Sequence, residues 1–452
     1  MISLEKDLTI GSPFRTIFTF ALPVMGGNLF QLLYTLADTV IVGQTLGADA
    51  LAAVGSTGTV VTLILLFVQG LTGGFGICLG QRYGARDREG LQRSVGASWI
   101  LSLIALVIIT AVCCTLTTPI LTWLKTPAEI QQMAYDYLFV ILLGTGATIF
   151  YNMISNVLRA MGDSRTPFFL LVFSALLNIG LDILFIVPLH GGVAGAAWAT
   201  VLSQLLSAVL CTVIALVRFP LLRPAPVWKE WRKSVSSLLA IGFPMGFQMA
   251  VMCVGQIAMQ MAINDLGSEA IAGFTAAIKV DQLAIQVNTA FATAVSSYVA
   301  QNYGADRFSR IRQGVTACLI QLEIANVLMG VFLLYAREWV VPLFIDQPTA
   351  QIISYSSQLL KTVVPFYPVL GLLIIYRAAI QSVGNAKIPF LACIIELVMR
   401  SVAALGFVHL WGYAGVCFAT PLAWVGATAL LLPAYFVTLR KVEQEQHGIL
   451  TP

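Results

Sequence analysis

Long apolar runs alternate with short polar or Gly/Pro-rich breaks along almost the whole chain. A helix needs about 20 apolar residues to cross roughly 30 Å of hydrocarbon. The breaks delimit twelve runs, at approximately 16–42, 52–80, 94–118, 132–156, 167–188, 193–218, 235–262, 271–299, 314–336, 353–379, 388–410 and 415–438. The sequence has no alternating pattern of the barrel type, so the runs predict twelve transmembrane helices.

The composition agrees with a membrane protein. Of the 452 residues, 58% are hydrophobic and only 10% are charged, whereas soluble domains carry roughly 25% charged residues. The N-terminal stretch lacks a short apolar core followed by a small-residue cleavage site, so we expect no removable signal peptide. The chain is therefore interpreted as an all-α polytopic membrane protein.

Basic residues concentrate in alternate loops, which predicts the orientation of the chain. The richer loops hold Arg82, Arg86, Arg88, Arg93, Arg159, Arg165, Arg218, Arg223, Lys229, Arg232, Lys233, Arg307, Arg310, Arg312, Lys387, Arg440 and Lys441. The opposite loops hold little besides Lys125 and Arg337. Positive loops face the cytoplasm, so we expect a plasma-membrane protein with both termini cytoplasmic.

The second half of the chain repeats the first. LGADALAAVG from Leu46 matches LGSEAIAGFT from Leu266 at an offset of 220, and so do GQRYGARD with AQNYGADR and GGVAGAAWAT with WGYAGVCFAT. MGDSRTPFF matches VGNAKIPFL within two residues of that offset. We predict two pseudo-symmetric six-helix lobes, 1–218 and 234–440, joined by a cytoplasmic linker at 219–233 and followed by a tail at 441–452. An even span number makes them parallel repeats, as in many alternating-access transporters.

Five acidic residues lie well inside predicted spans: Asp38, Asp182, Asp281, Glu323 and Glu396. Each costs about 2.5–3.5 kcal/mol on insertion scales, and such residues usually mark ion or substrate pathways. The aspartates of the first half have no acidic counterpart in the second half. The scaffold therefore packs without them, which favours a functional role.

In the stretch NIGLDILFI, Asn178 and Asp182 are four residues apart and so share one helix face. The same spacing aligns Ala196 with Thr200 in the sixth span. If the first, fifth and sixth spans pack together, Asp38, Asn178, Asp182 and Thr200 offer oxygen ligands that suit Na⁺. Alternatively, two nearby carboxylates share a proton. The third interpretation is a buried hydrogen-bond network that binds no ion.

The second half carries its own charged set. Lys279 and Asp281 are two residues apart and should point to nearly opposite sides of a helix. Glu396 and Arg400 can form an i, i+4 ion pair, which either lowers the insertion cost or takes part in gating or substrate contact. Glu323 is interpreted as a capped or snorkelling polar residue.

The sequence contains no Walker motif, no His-metal cluster and no nucleophile elbow, which argues against an ATP-driven pump or an enzyme. A membrane enzyme or receptor would also be expected to carry a soluble catalytic or sensory domain. A lipid-linked saccharide flippase of related two-lobed fold remains an alternative. Its cavity would be expected to hold many Arg or Lys for pyrophosphate, and only Lys279 and Arg400 qualify.

From about Ser12 to Arg440 the chain resembles the multidrug and toxic compound extrusion (MATE) family. The resemblance rests on ALPVMG, on LADTVIVGQTLGADALAAVG, on the Q-x-Y-G-A turns at Gln81 and Gln301, and on VLRAMGDSRTPFF before NIGLDILFI. It implies a twelve-helix exporter of cationic or amphipathic compounds that exchanges them for Na⁺ or H⁺. It also implies a first-lobe cation site, formed by Asp38, Asn178, Asp182, Thr200 and the backbone of Ala196.

The chain departs from one family pattern, because some members carry an acidic residue in the seventh span. Here that span has only Gln248, Gln256 and Gln260, which favours coupling through the first lobe. The residues expected to contact substrate or to gate in the second half are Lys279, Asp281, Glu396, Arg400 and Gln256. We expect small-molecule substrates and the lipid bilayer as partners, no nucleic acid, no cofactor besides the coupling ion, and a monomer.

Overall fold

The computed structural model describes residues 7–124, 126–223, 231–344 and 348–446. These residues form fourteen α-helices and contain no strand. The helices are α1 (Pro13–Leu46), α2 (Ala48–Gly84), α3 (Arg88–Trp123), α4 (Gln131–Leu143), α5 (Thr145–Ala160), α6 (Arg165–Ile186), α7 (Gly192–Arg218), α8 (Trp231–Asn264), α9 (Ser268–Gly304), α10 (Phe308–Ala336), α11 (Ala350–Val363), α12 (Tyr367–Ser382), α13 (Lys387–Trp411) and α14 (Tyr413–Gln446). The described residues exclude Lys125. They also exclude residues 224–230 of the predicted linker, which contain Lys229, and residues 447–452 of the predicted tail.

The predicted all-α polytopic class is confirmed. Within the described residues, eleven helical segments are long and apolar enough to cross a membrane, or twelve when the bent pair α4 and α5 counts as one span. Helices α11 and α12 form one of the eleven, because a short 3₁₀ turn at Val364–Phe366 joins them. Pro365 removes a backbone N–H donor in that turn, which accounts for the local change of helix type.

The fourth predicted span, 132–156, is broken rather than continuous. Helices α4 and α5 meet at Gly144 with a bend of 41°. A Cβ atom on Gly144 would lie only 2.1 Å from Cγ2 of Val201. At the break, Val201 of α7 therefore lies too close to the backbone of Gly144 for a side chain at position 144.

The backbone contacts divide the chain into two compact units. One contains Gly26–Met249, and the other contains Leu8–Met25 together with the described residues from Ala250 onward. The predicted lobes, 1–218 and 234–440, follow the sequence repeat, whereas the units divide the first helix of each repeat. The first part of α1 thus packs with the second repeat, and the first part of α8 packs with the first repeat.

In the first unit, α2 and α8 are in backbone contact. A Cβ atom on Gly74 would lie 2.3 Å from the Cα of Gly242, and one on Gly70 would lie 2.4 Å from the carbonyl oxygen of Met245. Only glycine permits such an approach. Close contact at two successive turns of α2 explains why the start of α8 belongs to this unit.

In the second unit, the Q-x-Y-G-A turn of the second repeat holds the segment before α1. The Leu8 N–H donates to Gln301 Oε1 (2.9 Å), and Asn302 Nδ2 donates to the Leu8 carbonyl oxygen (3.2 Å). Arg307 Nη1 donates to the Thr9 carbonyl oxygen at 2.6 Å. The motif therefore satisfies backbone groups that precede the first helix, which otherwise lack intrahelical partners.

The sequence motif before α6 sets the start of that helix. Asp163 Oδ1 accepts hydrogen bonds from the backbone N–H groups of Arg165 and Thr166, each at 3.0 Å. In the second repeat Asn385 Oδ1 accepts from the Ile388 N–H at 3.3 Å. Both side chains satisfy N-terminal donors that the helix leaves unpaired. The start of α6, and therefore the register of Asn178 and Asp182, is fixed locally.

Candidate cation site

Helices α1, α4, α6 and α7 come together in the first unit, as the cation-site hypothesis requires. A small buried apolar cluster joins them, formed by Val42, Ala50, Ile186, Val193 and Ala196, with Tyr137 packed against it. Val42 lies one helical turn after Asp38, and Ile186 lies one turn after Asp182. The apolar cluster therefore fixes the distance between the two helices that carry the acids.

The carboxyl groups of Asp38 and Asp182 lie within hydrogen-bonding range of each other. Asp182 is completely buried and Asp38 is half-buried. Oδ1 of each aspartate is buried without a hydrogen-bond partner among the described residues. Two carboxylates at this range repel each other unless a proton or a cation lies between them.

Asn178 and Thr200 complete the polar cluster on the α6 and α7 side. With its amide nitrogen toward Asp182, Asn178 donates to Oδ2 at 3.0 Å and accepts from the Thr200 N–H at 3.1 Å. The Thr200 hydroxyl donates to the carbonyl oxygen of Ala196 at 3.2 Å. The structure thus brings together all five residues that the sequence proposed for the first-lobe site.

Two tyrosines join this cluster that the sequence analysis did not include. Tyr34 lies one helical turn before Asp38, and its hydroxyl is within hydrogen-bonding range of Thr200. Tyr137 of α4 is close enough to Asp38 and Asp182 for their charges to act on its phenol. The i, i+4 spacing of Tyr34 and Asp38 could have predicted that Tyr34 lies on the same helix face as Asp38. Tyr137 gave no such signal, because it is distant in sequence from the other residues of the cluster.

The cluster offers carboxylate, amide, hydroxyl and carbonyl oxygens on one buried surface. Small hard cations prefer such ligands. Within the described residues no group of three or more His, Cys, Asp or Glu side chains could hold a metal ion. The cluster itself combines two acids with neutral oxygens.

In the second unit, Asp281 and Lys279 point in different directions, as their spacing on α9 predicts. Asp281 is 7% exposed and accepts a hydrogen bond from the Tyr367 hydroxyl at 2.7 Å. Lys279 is exposed, and its ammonium lies 5.4 Å from the ring centroid of Phe344. The two charges therefore do not form a local pair.

Glu396 pairs with Arg400, and also with Arg377, an arginine that the sequence analysis did not single out. Arg400 Nη2 donates to Glu396 Oε1 at 2.9 Å, and Arg377 Nη2 donates to Oε2 at 2.7 Å. Arg377 lies inside the predicted run 353–379, on α12. Its contact with α13 joins residues from two helices, so sequence spacing gave no signal for it.

The snorkelling interpretation of Glu323 is wrong. Both carboxyl oxygens are buried and have no hydrogen-bond partner by distance and angle within the described residues. The side chain is directed toward Gly371, where an added Cβ atom would lie 2.4 Å from Oε1, and toward Asn326. The carboxyl group turns inward because glycine on α12 leaves room for it. Gln256, the remaining second-half candidate, is exposed on α8.

A family comparison covers both repeats of the chain. The MatE family model matches residues 23–184 and 244–405. The chain belongs to the MatE family. The two matched segments correspond to the internal repeat, and together they contain Asp38, Asn178, Asp182, Asp281 and Glu396.

Relatives of known name agree with this assignment. The chain is 30% identical over 379 residues to the "Probable multidrug resistance protein YpnP" of Bacillus subtilis, with 84% of each chain covered. It is 28% identical over 393 residues to the "Probable multidrug resistance protein NorM" of Thermotoga maritima, covering 85% of this chain and 83% of that protein. This MATE chain is thus a member of a family of multidrug efflux transporters, not of enzymes.

Solved structures of the family have the same fold. A crystal structure described as MATE in complex with MaL6 matches with a TM-score of 0.90 and 26% identity, covering 98% of this chain and all of that one (100%). A second structure is described as the outward-facing conformation of a multidrug resistance MATE family transporter of the MOP superfamily. It matches with a TM-score of 0.89 and 26% identity, and the match covers 98% of this chain and 99% of that chain. The expectation of a multi-pass membrane transporter is confirmed, and it is consistent with a bacterial plasma membrane.

Proposed function

We propose that this MATE transporter exports cationic or amphipathic compounds in exchange for Na⁺ or H⁺ by alternating access. The observation that carries the proposal is the pairing of Asp38 with Asp182, two acids from separate helices whose Oδ1 atoms are buried and unpartnered among the described residues. Acids in this environment are costly unless a counter-ion visits them. The names of YpnP and NorM as multidrug resistance proteins support the choice of substrate class.

In this proposal the ion binds where the two carboxyl groups face each other. Asn178 and Thr200 orient Asp182 through the hydrogen bonds described above, and Tyr34 lies beside Thr200 on the α1 side. For Na⁺, the Asp38, Asp182 and Asn178 oxygens are the expected ligands, with Thr200 and the Ala196 carbonyl as neighbours. For H⁺, one proton shared between the acids removes their repulsion.

Ion binding and substrate binding are opposed in an antiporter. Loading of Na⁺ or H⁺ weakens the binding of the exported compound, and by linkage the compound weakens ion binding by the same factor. The ion gradient then drives export. If net charge moves, the membrane potential contributes about 2.3 kcal/mol per charge per 100 mV.

The orientation and assembly of the protein complete the proposal. The arginines in and beside the turns after α2 and α9 carry positive charge, which membrane insertion keeps in the cytoplasm, so we place both termini there. The monomer is the proposed functional unit, because both repeats are present in one chain. The predicted lobes and linker follow from the same duplication.

The decisive experiment measures efflux of a cationic dye from proteoliposomes under an imposed Na⁺ gradient and, separately, under a pH gradient. Stimulation by one gradient alone identifies the coupling ion. Efflux that responds to neither gradient, in protein that binds the dye, would contradict antiport. Empty liposomes with the same gradients measure the leak.

A further inference from the structure

The internal repeat places Arg400 where the first unit has Asn178. Helices α6 and α13 begin at the corresponding residues Arg165 and Lys387 of the matched motifs. Asn178 follows Arg165 at the same separation at which Arg400 follows Lys387. A guanidinium group thus takes the position of an amide in the candidate cation cluster.

The acids of that cluster are also missing at the equivalent positions of the second unit. By the same alignment Ala404 stands in the place of Asp182. Ala258 or Met259 stands at the place of Asp38, and the Thr420 hydroxyl donates to the Met259 sulfur at 3.1 Å. Thr420 matches Thr200 at the repeat offset. The same architecture therefore holds a cation-attracting group of acids in one unit and a fixed positive charge in the other.

Two buried guanidinium groups share one carboxylate in this second cluster. Arg377, Glu396 and Arg400 are exposed by only 6%, 3% and 7%, so none of them is solvated as a surface charge would be. Glu396 uses one oxygen for each arginine. A guanidinium can bind a carboxylate through two parallel N–H groups, and here each arginine gives only one.

The remaining guanidinium donors are short of acceptors. Among the described residues, the Nε atoms of Arg377 and Arg400 are buried without a hydrogen-bond partner. Arg377 Nη1 reaches only the sulfur of Met252, at 3.9 Å, which is a weak acceptor. On the α8 side Arg400 Nη1 faces Gly255, which has no side chain that could accept a hydrogen bond. Unpaired donors are costly in a membrane interior, so an acceptor from a ligand would stabilise these donors.

Asp281 is a further acid near this cluster. It is close enough to Arg400 for an electrostatic interaction, and one of its oxygens already accepts from the Tyr367 hydroxyl. An ionised Asp281 would balance the net charge of the two arginines and Glu396. The two Nε donors would still be unpaired among the described residues, so the remaining surplus is one of hydrogen-bond donors.

We propose that Arg377 and Arg400 bind a carboxylate group of an amphipathic compound that the protein transports. The inference deepens the proposed function, because it rests on that compound being carried, and it extends the substrate class to zwitterions and anions. A planar carboxylate matches the forked donors of an arginine. The cluster would contact this group on the second unit, while the ion binds to the acids of the first unit.

The test compares two dyes that differ only in the group at issue. Rhodamine 110 carries a free carboxylate, and rhodamine 123 is its methyl ester. Binding of each dye to the purified protein in phosphatidylcholine nanodiscs is measured by fluorescence anisotropy, without any gradient. Arg400→Gln and Arg377→Gln should each weaken rhodamine 110 binding at least tenfold and change rhodamine 123 binding less than twofold. Lys361→Gln, which removes an exposed cation of the same unit, should leave both affinities unchanged.

Other results would overturn the proposal. Equal weakening of both dyes would indicate a structural ion pair, and unchanged binding would indicate a cluster that meets no ligand. If added phosphatidylglycerol displaces rhodamine 110 from the wild type but not from Arg400→Gln, the site takes a lipid anion instead of a transported compound. Failure of gradient-driven efflux would contradict antiport but would leave this binding result intact.

Glu396→Gln provides a test that does not depend on removing an arginine. It frees donors of both guanidinium groups, so rhodamine 110 should bind more tightly and raise the melting temperature of this variant more than that of the wild type. A purely structural role for Glu396 predicts lower stability that rhodamine 110 does not restore. That result would also overturn the proposal.

Discussion

The carboxyl groups of Asp38 and Asp182 belong to different helices of one unit and lie within hydrogen-bonding range of each other. Helix α1 carries Asp38 and helix α6 carries Asp182. A cation or proton between them would bond the two helices, and its loss would leave two charges in repulsion. In the proposed mechanism, ion binding at this pair would therefore change the force between α1 and α6.

Replacing either acid by its amide should uncouple transport from the ion gradient. In Asp38→Asn or Asp182→Asn the pair can no longer hold an exchangeable cation, so we expect dye efflux to fall to the leak rate of empty liposomes. The measurement is gradient-driven efflux of a cationic dye from proteoliposomes. The amount of folded protein is checked by size-exclusion chromatography.

Asp49→Asn is the matched control for the loss of an acid, because Asp49 is exposed in the first turn of α2. It should transport at the wild-type rate. Wild-type efflux in both Asp38→Asn and Asp182→Asn would rule out the cation-site proposal.

Tyr34→Phe should weaken ion coupling without abolishing it. The substitution removes the hydroxyl that reaches Thr200 and leaves the ring in place. A hydrogen bond of this kind contributes about 1 kcal/mol, or roughly fivefold in affinity. The ion concentration that gives half-maximal efflux should therefore rise roughly fivefold. An unchanged half-maximal concentration would remove Tyr34 from the site.

The architecture and the grouping of the first-unit candidate residues were accessible from sequence because their signals are local or repeated. Twelve apolar runs and a constant repeat offset predict the helices, and i, i+4 spacing places Asn178 beside Asp182. Arg377 and Tyr137 were not accessible, because each contributes to a cluster whose other members lie on different helices. The inward direction of Glu323 depends on Gly371, which lies far away in sequence.

Gly74→Ala should destabilise the protein, because its new Cβ atom would meet the backbone of α8 at Gly242. Backbone cannot rotate away as a side chain can, so the two helices must separate. We expect a cost of about 1–3 kcal/mol, as for other overpacked interiors. Thermal unfolding of the detergent-solubilised protein measures the loss.

Gly55→Ala is the matched control on the same helix, since an added Cβ atom there meets nothing within 4 Å. It should be neutral, or more stable by up to about 1 kcal/mol, because alanine favours the helix. Equal melting temperatures for the two variants would contradict the tight contact between α2 and α8.

Asp87 should give a pH-dependent contribution to stability from the turn after α2. The Gly90 N–H donates to Oδ1 at 2.9 Å, and Arg82 donates to Oδ2 at 2.8 Å. The hydrogen bond from Gly90, followed by the nearby Arg82 charge, lowers the pKa of Asp87 below its ordinary value. The stabilisation is therefore complete above that ordinary pKa and is lost as the pH falls through the lowered pKa.

Asp87→Ala removes this helix cap and should cost about 0.5–2 kcal/mol at neutral pH. The difference in melting temperature between the variant and the wild type should shrink as the pH falls below about 4. Glu89→Gln is the control, because Glu89 forms an exposed pair with Arg93 that contributes little. A difference that stays constant between neutral and acid pH would contradict the assignment.

The hydrogen bonds from Gln301, Asn302 and Arg307 to Leu8 and Thr9 join residues separated by more than 290 positions. A ribosome makes the first helix early and these three partners much later. The opening turns of α1 must therefore wait, inserted but incompletely packed, until α8, α9 and the turn after them have been synthesised. A nascent chain stalled before residue 301 would leave that segment open to proteases, and release of the stall would close it.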